Sequence, residues 1–356
     1  MSSQKCSELL SRISERKTGN IKLMEVCGTH TMAIAKSGLR AALPRNIKLL
    51  SGPGCPVCVT PAEVIDEILS IAKRENVIIA TYGDMIKVPG SKRGENLGLL
   101  RAMGAKVEIV YSPLDAVKIA SENKNCEVVF LGAGFETTAP GTAAAIGEAS
   151  ENDIKNFSVF SMLKTVEPAL RALIADPDLE VSGFLCPGHV ATIIGEKGFA
   201  FLSDEYKIPC AIGGFEPEEI LLALDSITAQ IESGRAALTN NYPKAVRAGG
   251  NPIAMKIMDK FLVSRRDIWR GLGEIPESGL GIREEYEAFD AEKKFDVKIK
   301  EVQKNSPCRC GDVICGKITP KECPLFGKVC LPEDPVGPCM VSSEGACAAA
   351  YKYGEE

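Results

Sequence analysis

"CEVVFLGAGFE", Cys126 to Glu136, decides the fold. It is a near-continuous apolar run that stops at Gly-Phe-Glu, without the alternation of a strand with one wet face. A run of this kind is expected when helices cover both faces of a parallel sheet. Working outward, the same texture recurs in "FSVFSML", "VSGFLC" and "IPCAIGG" downstream and in "KVEIVYS", "NVIIATYG", "IKLLS" and "IKLMEV" upstream. Amphipathic stretches such as Pro61–Arg74 and Glu216–Gly234 lie between them. Thr60, Pro61 and Glu63 read as a capping box with proline at the first helical position, and Ser112-Pro113 opens another helix in the same way. The class is α/β.

Eight strands are enough for two parallel-sheet half-domains with flanking helices, which we place at residues 1–120 and 121–290. Two duplications fit that division. "GFE" occurs at Gly134–Glu136 and at Gly214–Glu216, and the only two histidines sit in "CGTH" (Cys27–His30) and "CPGH" (Cys186–His189). All four motifs follow strands, at the carboxyl ends where parallel sheets bind ligands. Residues 235–300 read as helical and loop-rich, with "REEYEAFDAEKKF" as a solvated helix. Residues 291–356 read as a small cysteine-rich domain.

Composition narrows the function. The chain of 356 residues is 45% hydrophobic and 25% charged, as in an ordinary globular protein. A net charge of −5 argues against nucleic-acid binding, which calls for a basic face. The longest run free of Asp, Glu, Lys and Arg, Val181–Gly195, is too short to span a membrane and contains Pro187. The first residues, "MSSQKCSELLSRISERK", have no apolar signal region, so a cytoplasmic protein is expected.

In that compartment fourteen cysteines point to metal or redox chemistry more than to a disulfide framework. Seven lie between Cys308 and Cys347, in a stretch rich in Gly and Pro with too little apolar surface to fold unaided. That tail has no tight Cys-x-x-Cys knuckle of the kind zinc prefers, and its dispersed thiols suit a four-iron cluster better; zinc is the competing reading. In the other half, Cys27 precedes a helical stretch whose free amides would favour thiolate. "GPGCPVCVTPAE", Gly52–Glu63, carries Cys55 and Cys58 as a dithiol, and the helix from Pro61 is expected to favour thiolate at Cys58. A zinc site from Cys27, His30, Cys55 and Cys58 is the alternative. Glu136 and Glu216 at helix starts, His189 in a turn and Asp84 in "TYGDM" have ordinary structural readings when taken singly. Cys6, Cys126, Cys186 and Cys210 read as packing residues. No Walker A loop, dinucleotide fingerprint or Ser-His-Asp order is present.

Taken together, "CGTH", "GLR", "GPGCPVCVTP", "TYGDM", "GFETTAP", "PGHV", "GGFEP" and the cysteine tail resemble the HypD family of [NiFe]-hydrogenase maturation proteins over almost the whole chain. The tail is the most specific part, since Cys308, Cys323, Cys330 and Cys347 match the family's C-x14-C-x6-C-x16-C pattern. The resemblance implies a [4Fe-4S] cluster on those four residues, with Cys310 and Cys339 as a redox-active pair beside it. Cys315 has no place in the pattern. The resemblance also implies a scaffold for the Fe(CN)2CO unit of the hydrogenase, with its iron held by Cys27 and shared with a small HypC-type chaperone. A HypE-type partner would donate cyanide, and Cys55 and Cys58 would relay electrons. His30, Glu136, His189 and Glu216 would line the cleft. A thiol–disulfide oxidoreductase similar to ferredoxin:thioredoxin reductase is the competing function, and a zinc-stabilised interaction module without chemistry a third.

Overall fold

The computed structural model describes residues 3–299 and 307–354; the parts of the cysteine-rich domain at 300–306 and 355–356 lie outside them. All eight expected strands are present: β1 (Ile21–Glu25), β2 (Ile47–Ser51), β3 (Val77–Thr81), β4 (Lys106–Ile109), β5 (Glu127–Gly134), β6 (Phe157–Leu163), β7 (Gly183–Pro187) and β8 (Cys210–Gly213). Three more follow: β9 (Leu238–Asn240), β10 (Leu262–Trp269) and β11 (Gly273–Ile282).

Two parallel sheets result, one ordered β2-β1-β7-β8-β9 and the other β4-β3-β5-β6. Strand pairing crosses the division expected at residue 120. Leu23 of β1 registers with Gly183 of β7, and Val77 of β3 with Glu127 of β5. "CGTH" and "CPGH" thus emerge from neighbouring strands of one sheet.

In each sheet the connections run outward in both directions from a central pair, β1/β7 in the first and β3/β5 in the second. A crevice opens at the carboxyl ends of such a pair, because the helices that follow the two strands lie on opposite faces. Among the described residues no helix is long and apolar enough to cross a membrane.

Local chemistry matches these elements with one exception among the caps. Ser112 caps helix Pro113–Glu122 in a full capping box with Asp115. The Thr60 box is absent. Thr60 Oγ1 instead donates to Pro56 O, because a short helix, Pro56–Val59, begins earlier, with Cys55 at its N-cap. Helix Ala62–Ala72 then starts at Pro61 with no side-chain cap.

The segment read as helical and loop-rich contains the β10–β11 antiparallel hairpin. Its signal is hidden by Arg265, Arg266 and Asp267 in one strand and by Pro276 and three glycines in the other. Arg266 pairs at the surface with Glu274, while the other two charges are satisfied inside the fold. Arg265 Nη2 donates to Glu292 Oε1 (2.7 Å) and Ser161 O (2.8 Å), and the buried Lys164 Nζ meets Asp267 Oδ2 at 2.7 Å. "REEYEAFDAEKKF" is a 3-10 turn, Glu284–Phe289, and a short helix, Ala291–Lys294, that buries Ala291 completely, so it is not a solvated helix.

Beneath the first crevice lies a buried ion pair. Glu25, at the end of β1, is fully buried and accepts from Arg40 Nη2 (2.8 Å), Ser51 Oγ (2.8 Å) and Thr31 Oγ1 (3.2 Å). Arg40 belongs to "GLR" and thereby ties the loops after β1 and β2 together. Removing one partner leaves a buried charge uncompensated, which costs about 3–5 kcal/mol. The Arg40→Ala variant is therefore expected to lower the unfolding free energy from denaturant titration by that order, and a loss under about 1 kcal/mol would count against the pair's role.

Candidate functional site

A cleft of about 430 Å3 opens where the two crevices meet. Cys27 and His189 enter it from the first sheet, Asp84 and Phe135 from the second, and Ser343 and Glu344 from the tail. Cys27 is the N-cap of helix Gly28–Ser37. Its thiol is nevertheless pushed up to about 11, by burial first and then by the negative charge of Glu344, against the neighbouring His30 and Thr29 amides. The expected thiolate is corrected to a thiol: the cost of burying an anion outweighs a few amide dipoles.

Glu344, missed in the sequence, accepts from Thr29 Oγ1 at 2.7 Å. Asp84 Oδ2 accepts from Ser343 Oγ (2.6 Å) and Ser343 N (2.9 Å). Two hydrogen-bonded contacts thus pin the segment between Cys339 and Cys347 across the cleft. Only its serines hinted at this, and a tail segment carries no periodicity that would predict its docking.

The two histidines sandwich Phe215. His30 stacks at 4.6 Å and His189 at 3.9 Å between ring centroids. His30 Nε2 lies 2.8 Å from Gly214 O, which fixes that nitrogen as the donor of a neutral ring, and burial lowers its pKa to about 4. His30 is completely buried behind Phe215, whereas His189 reaches the cleft. Burial lowers His189 as well. Glu216 is exposed at the start of helix Pro217–Ser233.

Glu136 is buried just below the cleft wall. Its Oε1 accepts from Val166 N at 2.9 Å, and among the described residues its Oε2 has no partner. Burial raises its pKa from the usual 4.5 to about 7. A carboxyl raised in the folded state binds more protons folded than unfolded. Its stabilising effect is therefore complete below pH 4.5 and is lost as pH rises through 7. Relative to Glu136→Gln, the wild type is expected to lose about 3 kcal/mol between pH 5 and pH 8. Parallel pH–stability curves for the two proteins would exclude this.

Cys55 and Cys58 form a disulfide, and Cys58 is fully buried. Cys55 Sγ accepts from Cys58 N at 3.1 Å within the disulfide loop. The disulfide loop backs onto Cys27. A Cβ on Gly54 would come within 2.4 Å of Cys27 Cα, and Gly28 N donates to Gly54 O. On the other side, Ser342 Oγ lies 3.3 Å from Cys55 Sγ.

Beyond the disulfide, Cys308, Cys310, Cys323, Cys330, Cys339 and Cys347 line one small cavity. Cys310 is the sulfur held below the usual thiol range, because Cys308 and Cys339 hydrogen-bond to it and the Arg270 guanidinium lies beside it. Cys308 and Cys339 are correspondingly raised. Cys315 stands apart, 3.7 Å from Gly271 O, and burial lifts it to about 12. Among the described residues no three His, Cys, Asp or Glu side chains converge as a single-ion site requires. Neither the Cys27/His30/Cys55/Cys58 set nor the tail therefore has zinc geometry. Six cysteines lining one cavity are consistent with metal or iron–sulfur binding.

Arg270, at the turn of the unforeseen hairpin, holds these parts together. Its N–H donates to Val59 O (2.7 Å) and its Nε to Thr60 O (3.0 Å), at the end of the disulfide helix. Gly271 beside it has φ +85°, and a Cβ there would lie 2.7 Å from Gly311 Cα, next to Cys310.

The chain matches the family model HypD, described as the Hydrogenase formation hypA family, over residues 4–354. It is 44% identical over 341 residues to the hydrogenase maturation factor HypD of Azotobacter vinelandii, covering 94% of this chain and 90% of the relative. To the factors of the same name from Rhodobacter capsulatus and Escherichia coli K12 it is 43% identical, covering 98% of this chain and 93% of each relative. A match of this length and identity, carried on the same strands that frame the cleft and the cysteine cavity, shows that the chain belongs to the HypD family of hydrogenase maturation factors.

Proposed function

We propose that the protein is the scaffold on which the Fe(CN)2CO unit of [NiFe] hydrogenase is assembled. Cys27 binds the cargo iron in the cleft, shared with a small HypC-type chaperone, and a HypE-type partner delivers cyanide. Cys308, Cys323, Cys330 and Cys347 would hold a [4Fe-4S] cluster, whose chemistry is the supply of single electrons at low potential. Cys310 with Cys339, and Cys55 with Cys58, relay reducing equivalents toward the cleft. Soft thiolate ligation suits iron carrying strong-field ligands.

The observation that supports this reading is the packing of the disulfide helix Pro56–Val59 between the Cys27 cleft and the elements that carry Cys310 and Cys339. The Cys27 cleft abuts the Cys55–Cys58 loop through Gly54, and Arg270 and Ser342 join that loop to the six-cysteine cavity. His189 stands at the cleft wall, and Glu136 is protonated or ionised within reach of neutral pH, so both can manage protons there. His30 acts from behind, by holding Gly214 O, and Glu216 stands at the start of the helix that follows this loop. A general thiol–disulfide oxidoreductase is less well supported, because a fully buried Cys58 offers no sulfur to a protein substrate.

The test is Cys58→Ser. Iron and sulfide content and co-purification of the small chaperone are expected to stay near wild type while hydrogenase maturation stops. Normal maturation would remove the relay, and loss of the cluster would make Cys58 structural.

A further inference from the structure

A cavity of about 740 Å3 opens on the side of the molecule that carries the hairpin turn and the start of helix Ala62–Ala72. Its wall includes Ala62, Arg93, Trp269 and Arg270, and its floor reaches Cys308 and Cys310. These two residues also line the six-cysteine cavity, so the pocket and that cavity share a wall.

We infer that this pocket is the port through which a low-molecular-weight thiol carrying a carboxylate recharges the Cys310/Cys339 pair. The inference rests on the relay reading given above. Four observations carry it.

Cys58 is fully buried, Cys339 is 1% exposed and Cys310 is 3% exposed, so a disulfide on a protein surface cannot reach them. The cavity has the size of small-molecule sites. Arg93 and Arg309 are already paired, with Asp334 and Asp312. Arg270 spends its Nε on Thr60 O, and among the described residues it pairs with no carboxylate, while it faces both the pocket and Cys310. A guanidinium so placed is the natural partner of an incoming carboxylate.

The chemistry balances. The structure holds Cys55–Cys58 as a disulfide and Cys310 and Cys339 as thiols. Exchange breaks the Cys55–Cys58 bond and forms a Cys310–Cys339 bond, the two protons passing to Cys55 and Cys58. Two molecules of the small thiol then break the Cys310–Cys339 bond. They give up two protons and two electrons and leave as their own disulfide.

The test uses the full, cluster-loaded chain without oxygen. Reduction of Cys55–Cys58 is followed by alkylation and mass spectrometry, with 3-mercaptopropionate compared against neutral 2-mercaptoethanol. With 3-mercaptopropionate the rate is expected to saturate, and at low concentration to exceed that with the neutral thiol by roughly tenfold or more. Arg270→Gln is expected to remove that preference, and Ala62→Trp to remove saturation by filling the pocket. Absence of saturation in the wild type overturns the port, and so does saturation unchanged in both variants. Cys339→Ser separates the two ideas. If it reduces as fast as wild type, the relay itself fails; if it is slow while Ala62→Trp is normal, the relay stands and the port fails. Circular dichroism and iron content check that each variant is folded and loaded.

Discussion

On the scaffold reading proposed above, Cys27→Ala co-purified with a HypC-type chaperone is expected to show none of the cyanide and carbonyl infrared bands expected of the wild-type complex. The side chain has no structural duty that alanine would leave undone: it caps no amide in helix Gly28–Ser37. Its backbone already fixes the loop, through Gly28 N to Gly54 O and Thr31 N to Cys27 O. What disappears is the one free sulfur that lines the cleft. Because burial and Glu344 hold that sulfur as a thiol, with a pKa near 11, metal capture must expel a proton. Band intensity at limiting iron is therefore expected to rise with pH across the neutral range. Cys27→Ser, with a hard and even less acidic donor, is expected to behave as the alanine variant does. Bands of wild-type strength in Cys27→Ala would move the iron to another residue.

How much of this was legible beforehand depended on the kind of signal. The strands were read correctly because burial on both faces leaves an unbroken apolar run, as in β5, where every residue after Glu127 is buried. Sheet membership was not, because an apolar run names no partner. β1 and β7 are far apart in sequence yet adjacent in space, and the repeat of Cys-x-x-His suggested matching halves where the strands are neighbours.

The hairpin escaped since its charged residues, normally a sign of solvent, find Glu292 and Lys164 inside the fold. In the site, the cysteines were singled out by spacing and by resemblance. Glu344, Asp84, Phe215 and Arg270 were missed or left undecided because each acts through a tertiary contact. The charge state of Cys27 was misjudged for a related reason: a helix start is visible in sequence, whereas the depth of its burial is not.

On the cluster assignment proposed above, replacing Cys323 by alanine is expected to take iron and sulfide from about four each per chain to near zero. Its effect should also extend well beyond the tail. Between residues 307 and 345 there is almost no regular structure: the helix Cys310–Ile314 and two 3-10 turns are all that is formed. Such a segment buries too little apolar surface to hold itself, and a cofactor that binds only the folded form supplies the missing stability. The same segment carries Ser342, Ser343 and Glu344, which close the cleft against Cys55, Asp84 and Thr29.

Loss of the cluster should therefore loosen a wall of the Cys27 site, weakening chaperone binding although no cleft residue has been changed. Hydrogen exchange is expected to speed up in 307–345 and at Thr29 and Asp84, while β5 and β6 stay protected. Cys315→Ser is the control, since Cys315 lies outside the six-cysteine cavity and should leave iron content intact. A Cys323→Ala protein that kept its iron would break the ligand assignment. One that lost its iron but kept wild-type exchange at Thr29 and Asp84 would show that the tail holds the cleft without help from the cluster.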